Sequence, residues 1–190
     1  MVDRDHGQVN ATRLVTLNDV PVLAELLRVN RDFLAPWEPI RRDDYFTVDG
    51  QRAVIGAAIE QHQQDSTLPY VILDDSARVV GRITLNEIVR GPLQSCSLGY
   101  WVGAADNGRG LATAAVRDII DVAFEELGLH RIQAGTRLDN LRSQRVLERN
   151  GFVRFGVAPA YLNIAGKWQD HAMYQVVAAP PACGRMTDTA

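Results

Sequence analysis

The sequence predicts a mixed α/β fold in one domain, and three observations indicate it. The chain has 190 residues, of which 46% are apolar, enough to bury one sizeable core. Strands in its first half are separated by short turns, as in hairpins, whereas strands in its second half alternate with helices. A sheet with both kinds of connection should offer a cleft where neighbouring strands diverge.

The first half is expected to contain three strands and two helices. A strand over 12–17 precedes a helix that Asn18 or Asp19 caps and that runs to about Asn30. The residues of this helix expected to face inward are Val22, Leu23, Leu26 and Leu27. A second helix is predicted over 49–64, and strands over 68–74 and 78–88 are joined by a turn at Asp-Asp-Ser.

Two prolines flank Trp37 and Glu38 in the segment F-L-A-P-W-E-P-I, between the two helices. Proline lacks an N–H donor and restricts the residue before it, so a regular helix is not expected here. The sequence therefore predicts a surface loop that holds an aromatic ring and a carboxylate in fixed positions.

The segment from Cys96 to Ala112, C-S-L-G-Y-W-V-G-A-A-D-N-G-R-G-L-A, predicts a strand, a glycine turn and a helix in direct succession. Its first residues alternate with a period of two, as a strand does. From Gly110 the apolar residues follow helical spacing until Gly128; they are Ala112, Val116, Ile119, Ile120, Ala123 and Leu127. Unpaired N–H groups at the positive end of a helix dipole, beside glycines that tolerate positive φ, are typical of an anion site.

An ordinary turn with Asn107 as a helix cap is the competing interpretation of this segment. A nucleotide P-loop is excluded because Arg109 stands where that motif has lysine, and Gly110 lacks the hydroxyl that holds magnesium. A dinucleotide fingerprint also fails, since G-x-G-x-x-G is incomplete and the next strand, 131–136, carries no acidic residue.

The remaining elements alternate until a hairpin ends the domain. The strand over 131–136 leads to a helix that Asp139 and Asn140 cap and that ends at Asn150. Two strands near 152–164 and 168–177 follow, joined at Ala165 and Gly166. The domain is expected to span 1–177, and 178–190 is predicted to be a disordered tail.

Composition excludes several classes of protein. A formal net charge of -3 argues against a nucleic-acid binder and leaves room for an amine-bearing partner. Cys96 and Cys183 make neither a disulfide framework nor a metal site, and neither is expected to be a nucleophile. No stretch approaches the ~20 apolar residues that cross a bilayer, and the N-terminus lacks a signal-peptide core, so a cytoplasmic protein without a membrane partner is expected.

The residues around the glycine turn resemble the GCN5-related N-acetyltransferases (GNAT). N-G-R-G-L-A from Asn107 matches the last two fixed positions of the pyrophosphate loop Q/R-x-x-G-x-G/A, with Asn107 where Gln or Arg is usual. L-G-Y-W-V precedes it, and D-N-L-R-S-x-R-V-L-E-R-N-G-F follows. The blocks N-R-D-F-L-A-P-W-E-P and A-Y-L-N-I-A-G-K-W-Q-D-H are similar to the RimJ type of the RimJ/RimL branch, the ribosomal-protein-alanine N-acetyltransferases.

This resemblance implies a mostly antiparallel sheet of six or seven strands, splayed into a V and flanked by about four helices. It implies acetyl-coenzyme A as cosubstrate, without a metal, its pantetheine paired with the backbone of Tyr100, Trp101 and Val102. The backbone N–H of Val102 or of a neighbouring residue is the candidate oxyanion donor. The residues expected under the pyrophosphate are Asn107, Gly108, Arg109, Gly110, Leu111, Ala112 and Thr113. A bulky residue at Gly110 should abolish binding.

The resemblance also suggests catalytic residues. Ser143 is the candidate donor to the leaving thiolate, with Asn140 beside it at the pantetheine end; alternatively, Asn140 only caps the helix and Ser143 bonds backbone. The base is open, because Phe155 stands where many relatives carry glutamate. Glu38 is the preferred candidate; the others are Glu87, Asp170 and His171. An α-amine, with a pKa of ~7.7–8.0, needs only a weak base.

Trp37, Glu38 and Tyr161 are the expected substrate residues, and Tyr45 and Trp168 are further aromatic candidates for the substrate mouth. No role is assigned to Arg90 or Arg145. The resemblance implies acetyl transfer to the α-amine of a protein or peptide N-terminus, a ribosomal protein among the candidates. Acetylation of a small amine and a CoA-binding module without turnover stay open. The acceptor, the acyl chain and the choice between monomer and homodimer are also open.

Overall fold

The computed structural model describes residues 11–179, in which seven strands form one sheet in the order β1-β2-β3-β4-β5-β7-β6. The strands are β1 (Thr12–Leu14), β2 (Leu68–Leu73), β3 (Val79–Val89), β4 (Ser95–Val102), β5 (Arg131–Arg137), β6 (Val153–Ile164) and β7 (Lys167–Val177). All neighbours are antiparallel except β4 and β5, which are parallel. The predicted mixed sheet is confirmed, whereas most of the predicted tail, from 180 onward, lies outside the described residues.

Five α-helices flank the sheet in the described part of the chain: α1 (Val20–Val29), α2 (Arg31–Leu34), α3 (Val48–Gln63), α4 (Leu111–Asp121) and α5 (Leu141–Arg149). The sequence analysis missed the single turn of α2. As the prolines predicted, the chain then forms only a 3₁₀ turn at Ala35–Trp37 and becomes extended at Glu38. No helix within 11–179 is long and apolar enough to span a membrane.

The helices pack on both faces of the sheet. The larger core joins β2–β5 and β7 to α4 and α5, with Ile83, Ile119 and Leu147 almost fully buried. The smaller core joins β2 to α1 and α3 through Val71, Leu23 and Ile55. Because side chains of a strand alternate between faces, β4 contributes to both layers.

Two predicted details of the N-terminal region are wrong. Strand β1 ends at Leu14 instead of residue 17, because the Thr16 N–H donates to the Asp19 carboxylate at 2.8 Å, which begins a 3₁₀ turn. Helix α1 therefore starts at Val20, and its phase differs from the predicted one: Val22 is 39% exposed and Leu26 is only partly buried. The buried residues are Val20, Leu23, Ala24 and Leu27.

The predicted long helix after the glycine turn changes geometry before its end. Helix α4 is regular to Asp121 and continues as a π-helical turn over Val122–Glu126. Gly128, with φ of 63°, follows the end of this turn, as predicted.

Strands β4 and β5 pair over only three residues each. Ser95 to Ser97 lie opposite Arg131 to Gln133. Beyond that point β4 continues on β3 up to Val102, and β5 continues on β7 up to Arg137. Their facing edges have no strand partner there, which gives the V-shaped opening that the resemblance implied.

Candidate active site

A long cleft follows the opening between β4 and β5. It consists of two adjoining cavities of about 570 and 510 Å³ that share Val102, Asn107 and Ala112 on one side and Arg142, Arg145 and Val146 on the other. A smaller cavity of about 190 Å³, which we call the chamber, lies between the strands. It is lined by 98–100, 134–137, Trp37, Asn140, Ser143, Leu147, Leu162, Ile164 and His171. The cleft and the chamber meet at Tyr100 and Ser143.

The glycine turn has the backbone geometry of an anion site. Gly108 and Gly110 have φ of 80° and 82°, and a Cβ at either position would meet no atom within 4 Å. Gly110 directly precedes α4, so the N–H groups of 111–113 have no acceptor within the helix. Leu111, Ala112 and Thr113 all line the 510 Å³ cavity. The turn therefore presents unpaired donors and open space to the cleft.

Two side chains of the turn are engaged with the protein itself. Asn107 Nδ2 donates to the carbonyl oxygens of Val102 and Gly103 at 3.1 and 2.8 Å, which ties the turn to the end of β4. Arg109 forms an ion pair with Asp106 at 2.6 Å and lines neither part of the cleft. An anion at the turn would thus meet backbone donors more than these two side chains.

Helix α5 supplies three arginines to the opposite wall of the cleft. Arg142, Arg145 and Arg149 line the 510 Å³ cavity. The sequence analysis left Arg145 without a role and missed the other two, although their spacing of three and four residues predicts one helical face. Arg90 lies elsewhere, where it bonds to Asp65 and to the carbonyl of Leu127.

Tyr100 and Ser143 are joined by their side chains. Tyr100 Oη lies 2.8 Å from Ser143 Oγ and donates to the Ser143 carbonyl at 3.2 Å. Burial raises the pKa of the Tyr100 phenol to about 12, so it stays protonated at neutral pH. Asn140 Oδ1 accepts from the Ser143 N–H at 3.1 Å. Asn140 is thus a helix cap, whereas Ser143 bonds to another side chain; the Tyr100 hydroxyl is a group that the sequence analysis missed.

The structure does not bring Glu38 to this pair, which corrects its predicted place in the site. Glu38 lines a separate cavity of about 240 Å³ with Arg41 and Ala165. The chain leaves its 3₁₀ turn between Trp37 and Glu38, so these neighbours point to different cavities. Burial raises the pKa of the Glu38 carboxyl, and the charges of Arg41 and Arg82 oppose that shift.

The segment 35–40 reaches the chamber through Trp37, and we call this segment the roof. Arg137 of β5 donates to the Pro36 carbonyl at 2.6 Å, and its guanidinium lies 5.2 Å from the centre of the Trp37 ring. The tip of the β6–β7 hairpin joins the roof through the Ala165 N–H, which donates to the Glu38 carbonyl at 3.0 Å. Trp37, 38% exposed, lines both the cleft and the chamber.

Tyr161 lines neither the cleft nor the chamber, but it contacts His171, which does line the chamber. Its ring is 5.5 Å from the ring of His171, and both rings lie over Gly135, where a Cβ would be 3.4 Å from Tyr161 and 3.7 Å from His171. The other aromatic candidates, Tyr45 and Trp168, line neither the cleft nor the chamber.

Of the base candidates, His171 is the one that lines the chamber. Glu87 accepts a hydrogen bond from Ser97, and Asp170 accepts one from the Ala160 N–H. Phe155 is 49% exposed on β6. In the sequence, His171 lies about thirty positions beyond the cleft residues of α5. Its position in the chamber follows only from the pairing of β7 with β5.

Two other kinds of catalytic group, a metal ion and a nucleophilic cysteine, were looked for among residues 11–179. No group of three His, Cys, Asp or Glu side chains in that range could hold a metal ion. Burial raises the pKa of the Cys96 thiol to about 12, so at neutral pH it is not the thiolate that a nucleophile requires. Cys183 lies outside the described residues.

Comparison with known proteins agrees with this geometry. The family model of the acetyltransferase (GNAT) domain matches residues 12–153. The chain belongs to this family. This acetyltransferase is 40% identical over 172 residues to the probable N-acetyltransferase YjcK of Bacillus subtilis, covering 90% of the chain and 95% of that protein. It is 36% identical over 162 residues to the [ribosomal protein uS5]-alanine N-acetyltransferase of Escherichia coli, covering 85% and 84%.

Solved structures support the same assignment. The ribosomal-protein-S5-alanine acetyltransferase of Vibrio fischeri superposes with a TM-score of 0.83 at 32% identity, over 87% of this chain and 91% of that one. Mycobacterium smegmatis RimJ, in complex with CoA-disulfide, gives 0.84 at 30% identity, over 88% and 81%. The resemblance to the RimJ type is confirmed, and the chain is an acyl-CoA-dependent N-acyltransferase, as predicted.

Proposed function

We propose that this acetyltransferase transfers acetyl from acetyl-coenzyme A to the α-amine of a protein N-terminus, a ribosomal protein among its substrates. The observation that carries the proposal is the chamber, a volume of about 190 Å³ that meets the cleft at Tyr100 and Ser143. Such a volume suits a small first residue such as alanine or serine. Relatives at 36% and 32% identity are named for acetylating an alanine of a ribosomal protein.

A small polycationic amine fits the chamber less well. A polyamine gains affinity from carboxylates that pair with its charges. None of the described residues that line the chamber is acidic, and Arg137, which does line it, is paired with Asp139 at 2.6 Å. This observation favours an amine that reacts in its neutral form, and an α-amine, with a pKa of ~7.7–8.0, is already about a tenth neutral at pH 7.

The residues present fit acetyl-coenzyme A. The open edge of β4 beyond Ser97 leaves backbone groups of Tyr100 and Val102 to pair with pantetheine amides, whereas those of Trp101, between them, face β3. The glycine turn offers backbone donors to a pyrophosphate, and the arginines of α5 add positive charge across the cleft. When bound, acetyl-coenzyme A supplies an acetyl group activated as a thioester.

The chain's own part in the reaction is to orient the amine, stabilise negative charge and assist the leaving group. The Val102 N–H is the proposed donor to the oxyanion. The hydroxyls of Tyr100 and Ser143, 2.8 Å apart, lie where the cleft meets the chamber and would stabilise the leaving sulfur. Because burial raises the pKa of Tyr100 to about 12, its O–H stays protonated, and by turning away from the Ser143 carbonyl it can donate a hydrogen bond to the thiolate.

A mass-spectrometric assay tests the acceptor. Peptides that begin with alanine or serine should gain one acetyl group, located by fragmentation at the α-amine, in a reaction that requires acetyl-coenzyme A. The same peptides with a blocked N-terminus and an internal lysine are the matched control and should stay unmodified. Acetylation of spermidine but of no peptide would refute the proposal.

A further inference from the structure

His171 is a buried residue that lines the chamber, and the mechanism proposed above gives its imidazole no role. Only 3% of its surface is exposed, and it lies on β7 opposite Arg137 of β5 and Ala158 of β6. It lines the same 190 Å³ volume as Tyr100 and Ser143. The ring lies over Gly135, where a Cβ would be 3.7 Å from it, an ordinary contact distance.

The hydrogen bond of His171 fixes which ring nitrogen carries the proton. Nδ1 lies 2.9 Å from the carbonyl oxygen of Gln169. A carbonyl can only accept, so Nδ1 carries the hydrogen and donates it. In the neutral ring Nε2 then holds the free lone pair. Within the described part of the chain Nε2 has no hydrogen-bond partner, although the residue is almost fully buried.

The charges around the chamber make a proton acceptor necessary. The groups that face His171 are Arg137 from β5, Tyr161 from β6 and Tyr100 from β4, with Ser143 from α5. Arg137 is cationic and paired with Asp139 at 2.6 Å, and the other three are hydroxyl groups. No carboxylate lines the chamber to hold an ammonium ion or to take its proton. An ammonium entering beside Arg137 must therefore lose its proton to a neutral group.

We propose that Nε2 of His171 is the proton acceptor for the attacking amine. The inference rests on the proposed function for the identity of that amine. The α-ammonium gives one proton to Nε2, directly or through one water, and the ring becomes imidazolium. The amine nitrogen forms the N–C bond, and the C–S bond breaks. The second proton of the amine passes to the leaving sulfur by way of the Tyr100 hydroxyl, which gives the amide and the CoA thiol, and the imidazolium returns its proton to solvent after the product departs.

Chemical rescue tests this role. His171→Ala should lower kcat about 100-fold, the lower range for loss of a general base, with the KM for acetyl-coenzyme A unchanged. Added imidazole should raise the kcat of His171→Ala at least tenfold. Pyrazole has the same shape but is a far weaker base, so it should restore nothing. Rescue by both, or by neither, would overturn the proposal, because the histidine would then be structural.

Two further variants keep the test decisive. His171→Gln retains polarity but cannot hold a proton at neutral pH, and it should lose nearly as much activity as His171→Ala; activity above half of wild type would refute the role. Asp170→Asn is the matched control and should stay within twofold of wild type. Thermal stabilisation by CoA establishes that each variant is folded. The assay uses whichever amine the wild type acetylates, so a wrong acceptor class and a wrong base give different results.

Discussion

Tyr100 and Ser143 are 43 positions apart, and their contact joins a strand of the sheet to the helix across the cleft. The Tyr100 hydroxyl bonds to both the side chain and the carbonyl of Ser143. Tyr100→Phe removes the phenol while keeping the ring, and we expect kcat to fall 10- to 100-fold with little change in CoA affinity. Ser143→Ala should reduce kcat less, because Tyr100 keeps its bond to the carbonyl.

Steady-state kinetics and CoA titration distinguish the two hydroxyls. A larger loss for Ser143→Ala would make serine the donor and Tyr100 its positioning residue. Unchanged turnover in both variants would contradict either assignment. Phe155→Tyr, on exposed β6, adds a hydroxyl outside the chamber and serves as a control that should leave kcat unchanged.

Asp19 is a residue whose importance is structural. Its carboxylate accepts hydrogen bonds from the guanidinium of Arg13 and from the N–H and hydroxyl of Thr16, and these bonds lower the pKa of Asp19. Because the pKa of Asp19 is lower in the folded than in the unfolded state, its ionised form stabilises the protein. This stabilisation is complete at pH values above the unfolded-state pKa of ~3.9 and is lost as the pH falls through the folded-state pKa. Asp19→Asn should therefore reduce the free energy of unfolding at neutral pH by about 1–3 kcal/mol.

Urea denaturation at a series of pH values measures this effect. The difference in the free energy of unfolding between wild type and Asp19→Asn should be constant near neutral pH and should become smaller below about pH 4. Asp43→Asn is the control: Asp43 also pairs with an arginine, but its side chain is 89% exposed, so the loss should be below about 1 kcal/mol. A difference that widens in acid would contradict the assigned cause.

At the scale of elements, residue patterns predict a structural feature correctly where one continuous segment of the chain forms all of it. The strand β4, the glycine turn and α4 are continuous, so this wall of the cleft could be predicted from the residue periods and the glycine spacing. Glu38 and His171 show where this fails. A proline pair predicts that Glu38 is fixed but not in which direction it points, and the place of His171 depends on strand order in the sheet.

The glycine turn offers an element-level test with a matched control. Gly110 and Gly128 both have positive φ, and a Cβ at either meets no atom within 4 Å. Leucine at either position should cost about 1–2 kcal/mol of stability for its left-handed backbone. Only Gly110 lines the cleft, so Gly110→Leu should abolish the rise in Tm that CoA produces, whereas Gly128→Leu should keep it. Equal loss in both variants would contradict the site.

At the scale of the whole molecule, the cleft and the chamber are assembled in different ways. The 510 Å³ part of the cleft is built from residues between Val102 and Arg149 alone. The chamber needs the roof, the two splayed strands and the C-terminal hairpin, which come from distant parts of the chain. Changes to the roof should therefore act on the acceptor and leave CoA binding intact.

Arg137 joins these distant parts and gives the sharpest test of that division. It binds Asp139 with two hydrogen bonds, donates to the Pro36 carbonyl and lies over Trp37. Arg137→Lys keeps the charge but loses the planar fork and the stacking. We expect the KM for an acceptor peptide to rise about fivefold or more, because the roof is no longer held, while the KM for acetyl-coenzyme A stays unchanged.

Arg90→Lys is an unusually close control for this variant. Arg90 also binds one aspartate, Asp65, with two hydrogen bonds and one backbone carbonyl, that of Leu127, but it lines neither the cleft nor the chamber. Apart from the contact of Arg137 with the Trp37 ring, both substitutions thus affect the same kinds of contact at different places in the fold. If Arg90→Lys raises the peptide KM as much as Arg137→Lys does, general loosening of the fold explains the effect. If only Arg137→Lys raises it, the roof positions the acceptor.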